Sequence, residues 1–256
     1  MNRQPFTPPF APASLPAWRC PACNDGALAQ EKTSLRKEET ADSKASRGNS
    51  DWEPDWEKQR FSILLRCTRC KEPVFALGNV EIVEGHDEEI GWHLHEAFVP
   101  TFFEPPTPII HLSTKCPPLV ADEVRAASMH FWSSPAASAN RLRTALERLM
   151  DDQAIAKKTK TKKGTFESLS LHGRLERFAK KFPEVGQALL AVKWLGNSGT
   201  HSSELTASDS LDGFELLSFA LDEIFESKSK RLKALTTTII KKNTRKKRKK
   251  PLPAVP

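Results

Sequence analysis

The feature that most constrains this chain is a pair of short repeats, each built on Cys-x-x-Cys. The segments WRCPACN (18–24) and LRCTRCK (65–71) share an apolar residue, an arginine, the two cysteines and a polar residue. This spacing places two thiolates on one tight turn, and two such turns complete a tetrahedral metal shell. The repeats therefore predict a structural Zn²⁺ ion with four ligands: Cys20, Cys23, Cys67 and Cys70.

Two other uses of these cysteines stay open at this point, a redox dithiol and surface disulfides. A redox site normally needs only one Cys-x-x-Cys, set in a βαβ unit. Disulfides suit a secreted chain, and the first residues, MNRQPFTPPFAPASLPAW, lack the continuous apolar stretch of a signal peptide. Zinc is therefore the favoured interpretation.

The residues around the second repeat have strand composition. RFSILLRC (60–67) and PVFALGNVEIV (73–83) flank it as the two arms of a hairpin would. We predict a small β zinc ribbon over residues 18–91, in which the metal replaces a core that so few residues cannot build. Residues 28–57 are densely charged and poor in aliphatic side chains, so we expect a disordered insertion there. Residues 1–17 are rich in proline and are expected to be flexible.

Residues 92–117 are again rich in proline and show no helical period, which favours an extended strap. His93, His95 and His111 fall in this strap. Because four cysteines already complete a structural zinc shell, we expect these histidines to be structural or exposed. Cys116 stands alone beside two prolines and is expected to be a buried or bystander thiol.

From residue 118 onward, apolar residues recur at helical spacing. Pro118 suits the first position of a helix. The apolar positions of five successive helices are Val120, Val124, Ala127 and Phe131; Leu142, Ala145, Leu146 and Leu149; Leu171, Leu175, Phe178 and Phe182; Val185, Leu189 and Val192; and Phe214, Leu217, Leu221 and Ile224. Antiparallel helices on short loops predict a bundle over residues 118–240, and hence a mainly α protein preceded by the small β ribbon.

Several helix ends carry signals of their own. Ser138 is a candidate N-cap for the second helix. Pro183 opens the fourth helix, which we expect to stop at Gly196-Asn197. Thr206 with Asp209 has the signature of a capping box, and it introduces a long fifth helix that runs into the basic tail.

The net charge of +7 belongs to the C-terminal tail, residues 241–256. Its segment KKNTRKKRKK contains eight basic residues and no acidic one, so the remainder of the chain is nearly neutral. Such a tail, expected to be disordered, attracts nucleic acid or other polyanions without specificity. The candidate nucleic-acid-binding residues are Arg245, Lys246, Lys247 and Arg248 in the tail, and Lys157, Lys158, Lys160, Lys162 and Lys163 in a basic loop. Solvated surface charge, or a nuclear localisation signal for the tail, are the alternatives.

Several motifs also occur in the order found in a known family. They are the Cys-x-x-Cys ribbon, a strap ending in Pro-Pro-Leu, a helix with RTALE (143–147) and a helix ending in Leu-Gly-Asn-x-Gly-x-His. In that order they resemble a bacterial domain-of-unknown-function family assigned to the HEPN (higher eukaryote and prokaryote nucleotide-binding) superfamily. The resemblance implies a HEPN-like helical bundle. Many relatives are metal-independent ribonucleases, often encoded with restriction, toxin or anti-phage systems, and others are inactive binding modules.

The superfamily's signature is an arginine, a polar residue and then a histidine. The resemblance assigns the polar position to Asn197 and the histidine to His201, but the basic residue upstream is Lys193. Lysine offers a mobile point charge where arginine offers a rigid bidentate fork, so this departure bears on catalytic competence. Arg143 and Glu147 match another part of the pattern and are expected to face the same groove.

These residue types suit the cleavage of RNA. A histidine with a pKa near neutrality can take the proton of the 2′-hydroxyl or protonate the leaving oxygen, and a cation and an amide can stabilise the charged phosphorane. RNA is favoured over DNA because the 2′-hydroxyl is the internal nucleophile. Structural alternatives stay open: Gly196-Asn197 as a helix stop, His201 as a residue that interacts with the dipole of the helix end, and Arg143 with Glu147 as a surface ion pair.

The leading hypothesis is a cytoplasmic prokaryotic protein that acts on or with nucleic acid, in a defence or stress system, as a ribonuclease. The alternative is a non-catalytic binding or dimerisation module that recruits a partner effector protein. A homodimer is expected under both, since members of the superfamily often place their motif at a homodimer interface. No apolar run approaches the roughly 18 residues that span a bilayer, so no membrane partner is expected.

Overall fold

In the computed structural model, which describes residues 1–11, 14–23, 25–88, 91–162, 164–201 and 205–248, an antiparallel sheet comes first and helices follow. The strands of this sheet are β1 (Leu28–Gln30), β2 (Arg36–Glu39), β3 (Lys58–Cys67), β4 (Pro73–Asp87) and β5 (Gly91–Glu104). Their order is β1-β3-β4-β5, and β2 pairs with β3 beyond β1. The sheet curls into a half-barrel.

The prediction of a mainly α protein is wrong, because 24% of the chain is strand and 45% is helix. The expected ribbon is only one end of a larger sheet. Most of the additional strand comes from β5, which covers much of the segment predicted to be a strap. Pro100 is accommodated there because the register shifts at Gly78, where any Cβ would collide with the backbone of β5.

The charged insertion, which was expected to be disordered, forms two strands and a short helix. β1 and β2 both pair with β3, for example through Leu28↔Cys67 and Arg36↔Ser62. Their backbones therefore supply hydrogen-bond partners for one edge of β3. Thr40 then caps the short helix α1 (Ala41–Ser46). An edge strand contributes backbone hydrogen bonds and needs few apolar side chains, which explains why a charged sequence can form one.

The helices of the second half are α2 (Pro118–Phe131), α3 (Pro135–Asp152), α4 (Leu171–Ala179), α5 (Pro183–His201), α6 (Ala207–Leu221) and α7 (Lys228–Arg248). The first residue of α2 and its buried face are as predicted, and the capping box of Thr206 and Asp209 is confirmed. Ser134, and not Ser138, caps α3, while Ser138 is buried and donates to the carbonyl oxygen of Ala127. Between α3 and α4, the basic loop forms a hairpin of β6 (Lys158–Lys160) and β7 (Phe166–Ser168).

The sheet and the helices share one hydrophobic core. Trp18 and Phe103, from the sheet side, lie at ring-centroid distances of 6.2 Å and 4.8 Å from Trp132, which follows α2. The N-terminal segment, predicted to be flexible, completes this cluster: Phe6 and Phe10 are buried, and the ring of Phe6 is 6.1 Å from that of Trp132. Proline content alone did not reveal these two aromatic anchors.

The fifth predicted helix is two helices. α6 ends at Leu221, a π-helical turn follows at Asp222–Glu226, and Ser227 then adopts a left-handed conformation with φ of 50°. α7 is therefore a separate helix, and it includes residues 241–248 of the tail that was expected to be disordered. Among the described helices, none combines the length and the apolar character that a bilayer span requires.

Candidate functional site

The four predicted cysteines lie together at one end of the sheet. Their Sγ atoms are all within 4.8 Å of one another, with Cys20–Cys70 and Cys23–Cys67 each separated by 3.6 Å. Strand pairing brings them there, because Cys67 ends β3 while β1, which follows the first repeat, pairs with that same residue. The two arms of the hairpin are β3 and β4, as the sequence predicted.

The local backbone is shaped around sulfur. N–H groups of Ala22 and Gly26 donate to Cys20 and Cys23, and those of Arg69 and Cys70 both donate to Cys67, all at 3.4 Å. Gly26 is required at its position, because a Cβ there would collide with Sγ of Cys67. The sequence analysis did not identify Gly26, although its position three residues after Cys23 could have indicated a role in the turn.

Burial and these hydrogen bonds give the thiols of Cys67 and Cys20 different pKa values. Burial opposes ionisation of Cys67, but the N–H groups of Cys70 and Arg69 help to overcome it, and the pKa of that thiol falls to about 6. Burial raises the pKa of Cys20 to about 12. Four sulfur atoms at this spacing, supported by N–H donors, can hold a metal ion as thiolates, and the set is compatible with zinc.

No other group of three or more cysteines, histidines or carboxylates in the described ranges comes close enough to share a metal ion. His93 and His95 lie on β5, with their ring centroids 5.6 Å apart. Cys116 is buried elsewhere, and burial raises the pKa of its thiol to about 11.

The second candidate site lies on α5, and it corrects one prediction. Gly196 and Asn197 do not stop the helix, which continues to His201. Gly196 instead faces α3, where the position of a Cβ would be 2.6 Å from Cβ of Arg143 and 3.0 Å from the carbonyl oxygen of Ala139. The glycine therefore permits a close approach of two helices, rather than a left-handed turn.

This close approach brings the predicted supporting pair beside α5. Arg143 forms an ion pair with Glu147, one helical turn along α3, at 3.2 Å. This is the surface ion pair that was the structural alternative for these two residues. Its Nε atom is buried and has no hydrogen-bond partner within the described residues. Arg143 therefore keeps unused hydrogen-bonding capacity next to the backbone of Gly196.

Lys193 is buried on the inner side of α5, with 8% of its surface exposed. Its ammonium lies 3.5 Å from the ring centroid of Trp194 and forms no salt bridge among the described residues. His172, on α4, is the next aromatic neighbour, with its ring centroid 6.0 Å from that of Trp194. Neither Trp194 nor His172 was identified from the sequence, where each occupies an ordinary helical position.

Asn197 follows Lys193 by one turn of α5 and is half-buried. The backbone of residue 201 is helical, one further turn along, but the side chain of His201 lies outside the described part of the chain. Helical spacing places residues 193, 197 and 201 on one side of α5.

Comparisons with known families divide the chain into two segments. Residues 8–103 match a family model described as Domain of unknown function (DUF8608), and residues 125–243 match one described as Domain of unknown function (DUF4145). The first segment contains the four cysteines, and the second contains the α5 site. Each segment is therefore similar to a domain family of unknown function. Searches of the curated proteins and of the solved structures found no match.

The predicted nucleic-acid-binding lysines lie on the β6–β7 hairpin or beside it. Lys157 forms an ion pair with Asp151 at 2.9 Å. Lys158 and Lys160 are exposed on β6 and Lys162 is exposed after it, whereas Lys163 lies outside the described residues. The tail residues Arg245, Lys246, Lys247 and Arg248 belong to α7, but their side chains are not among those described.

Proposed function

We propose that the chain is a HEPN-like, metal-independent endoribonuclease whose reaction centre lies on α5. The observation that carries this proposal is Lys193, a largely buried residue whose ammonium lies against Trp194 and meets no carboxylate among the described residues. A lysine can bury its apolar stem and keep its ammonium accessible to a ligand. The cation–π contact with Trp194 orients this ammonium, and an RNA phosphate would be its anionic partner.

Each residue of the centre then has a chemical task. His201 acts as the general acid or base, removing the proton of the 2′-hydroxyl or protonating the 5′-oxygen that leaves. Lys193 and Asn197 stabilise the negative charge that builds up on phosphorus-bound oxygens. Arg143, held at α5 by the small Gly196, adds a second cation beside this side of the helix.

The four cysteines bind one structural zinc ion in this proposal, and zinc takes no part in cleavage. The charge of the tail supports a nucleic-acid partner, and the resemblance supports a cytoplasmic prokaryotic setting in host defence. A homodimer would follow the superfamily's habit of placing its motif at a subunit interface.

The proposal is tested with single-stranded RNA, wild-type protein and His201→Ala, in the presence of a chelator that removes free divalent ions. We expect wild-type protein to leave 2′,3′-cyclic phosphate ends, and the variant to cleave about 10² to 10⁴ times more slowly with unchanged RNA affinity. Equal cleavage by both proteins would remove His201 from the reaction. Absence of cleavage by the wild-type protein would contradict the ribonuclease proposal itself.

A second candidate function is supported by α7. Leu232, Leu235 and Ile239 recur at helical spacing and are 61%, 50% and 59% exposed. A row of exposed aliphatic side chains on a helix favours burial against another protein chain. The chain would then be a non-catalytic module that recruits an effector or dimerises. Sedimentation analysis of the wild-type protein and of Leu235→Glu tests self-association, which the variant should abolish.

A further inference from the structure

The β6–β7 hairpin lies between α3 and α4, and its root is tied to both helices. The N–H group of Leu169, just after β7, donates to the carbonyl oxygen of Lys157 at 2.8 Å. The guanidinium of Arg174, on α4, donates to Oδ1 of Asp151 at 2.7 Å and to the carbonyl oxygen of Ile155 at 2.9 Å. Arg174 is buried, so it fixes the segment through which the chain leaves α3.

The two faces of this hairpin have different surroundings. Residues that pair directly across two strands project from the same face. The pairs are Lys158↔Ser168, Thr159↔Glu167 and Lys160↔Phe166. Arg177, on α4, donates to Oγ1 of Thr159 at 2.7 Å, so the face with Thr159 is turned towards α4. Lys158, Lys160 and Phe166 project from the other face, and all three are exposed.

This outward face combines positive charge with an aromatic ring. Phe166 is 70% exposed and contacts no other ring among the described residues. Lys158 and Lys160 form no ion pair with a described residue, whereas Lys157 at the root is paired with Asp151. Cations without carboxylate partners attract a polyanion, and an exposed ring can stack on a base. A single-stranded nucleic acid offers both phosphates and unpaired bases.

We infer that the hairpin is an arm that binds single-stranded RNA, with Phe166 stacked on an unpaired base and Lys158 and Lys160 in contact with phosphates. This inference rests on the proposed function and names its substrate class. Lys160 is the cross-strand neighbour of Phe166, with Cβ atoms about 5 Å apart. One nucleotide can therefore meet both side chains. Bases within a duplex are stacked on each other, so the ring adds affinity for single strands only.

Helix α4 connects this arm to the proposed reaction centre. Arg177 of α4 contacts the hairpin, and the ring centroid of His172, on the same helix, is 6.0 Å from that of Trp194 on α5. Only one helix therefore separates the arm from α5. RNA held by the arm would be present at a high effective concentration near α5.

Equilibrium binding of a 2′-O-methyl oligouridine of about ten nucleotides tests the inference, because this RNA lacks the free 2′-hydroxyl needed for cleavage. A duplex RNA of the same length is the comparison ligand. Phe166→Ala should bind the single strand roughly 5 to 150 times more weakly and the duplex with unchanged affinity. Phe166→Trp should keep the affinity for the single strand. The double variant Lys158→Gln, Lys160→Gln should bind both RNAs more weakly, and its slope of log affinity against log salt should be smaller by about 1.4 for the single strand.

Phe75→Ala is the matched control for the ring, because Phe75 is 53% exposed on β4. The double variant Lys32→Gln, Lys44→Gln is the control for the charge, since both lysines are exposed outside the hairpin. Both controls should bind the two RNAs as the wild-type protein does, and melting curves verify that every variant is folded.

Unchanged single-strand affinity in Phe166→Ala, an equal loss for single strand and duplex, or an unchanged salt slope in the hairpin lysine variant would each overturn the inference. Equal competition by polyglutamate at the same charge concentration would overturn it in favour of an acidic protein partner. Binding is measured without cleavage, so an RNA-binding arm on a non-cleaving protein is distinguished from failure of the ribonuclease proposal.

Discussion

A Cβ atom on Gly196 would lie 2.6 Å from the Cβ atom of Arg143, on the facing helix. This distance is shorter than any ordinary contact between two carbon atoms, so α3 and α5 approach each other as closely as they do only because residue 196 has no side chain. The same glycine sets the position of Arg143 relative to the side of α5 that carries Lys193.

Substitution of Gly196 is therefore expected to destabilise the fold. Alanine gains about 1 kcal/mol of helix propensity over glycine, but overpacking costs about 1 to 3 kcal/mol. We expect a net loss of about 1 kcal/mol for Gly196→Ala and a larger one for Gly196→Val, measured by denaturant unfolding. Gly173→Ala in α4 is the control, because its Cβ would meet nothing closer than 3.5 Å, and it should be neutral or stabilising. Equal behaviour of the two alanine variants would contradict close packing at Gly196.

Replacement of Lys193 should separate stability from activity. Lys193→Met keeps the length of the side chain and removes the charge, so we expect cleavage to be lost while the free energy of unfolding changes by less than about 1 kcal/mol. Lys193→Arg should retain cleavage, since the cation remains. Lys181→Met, at an exposed lysine, is expected to change neither property. A less stable but fully active Lys193→Met would show that the ammonium serves only the fold.

Metal content should depend on the four clustered cysteines alone. We expect about one equivalent of zinc in the purified protein, because four thiolates complete a tetrahedral shell. Cys67→Ser should lose this metal and lower the melting temperature, since metal binding contributes to folding. Cys116→Ser should retain the metal. Elemental analysis and melting curves of the three proteins measure both effects, and a metal-free wild-type protein with an unchanged fold would contradict the prediction.

Phe6 is expected to stabilise the whole chain, although it belongs to a segment that looks flexible in sequence. Phe6 is 6% exposed, and its ring centroid lies 6.2 Å from that of Phe131 and 6.1 Å from that of Trp132. Phe6→Ala should lower the free energy of unfolding by about 3 kcal/mol. Phe166→Ala, at a ring that is 70% exposed, should change it by less than about 0.5 kcal/mol. Similar effects of the two substitutions would show that the N-terminal segment does not pack as described.

The sequence predicted best those features that depend on a few neighbouring residues. The two Cys-x-x-Cys turns, the hairpin that carries the second of them, and the start of α2 at Pro118 all follow from local chemistry. The capping box at Thr206 and Asp209 is equally local.

Features that depend on distant partners were missed. The strand β5 contains Pro100, which is tolerated only because of the bulge opposite Gly78. Gly196-Asn197 looks like a helix end, because a left-handed turn and a close helix contact both favour a residue without Cβ. The close packing of α3 against Gly196 shows that the second explanation applies here. The local sequence does not reveal that contact. Trp194 and His172 meet only once α4 and α5 pack together.

The aromatic junction of Phe6, Trp18, Phe103 and Trp132 also bears on how such a chain can evolve. Phe6 precedes the first matched segment, Trp18 and Phe103 lie inside it, and Trp132 lies inside the second. Neither segment can be exchanged for an unrelated one without exposing the rings left behind. A recombination event that separates the two segments would leave apolar rings exposed on each. We therefore expect this pair of segments to be inherited as a unit.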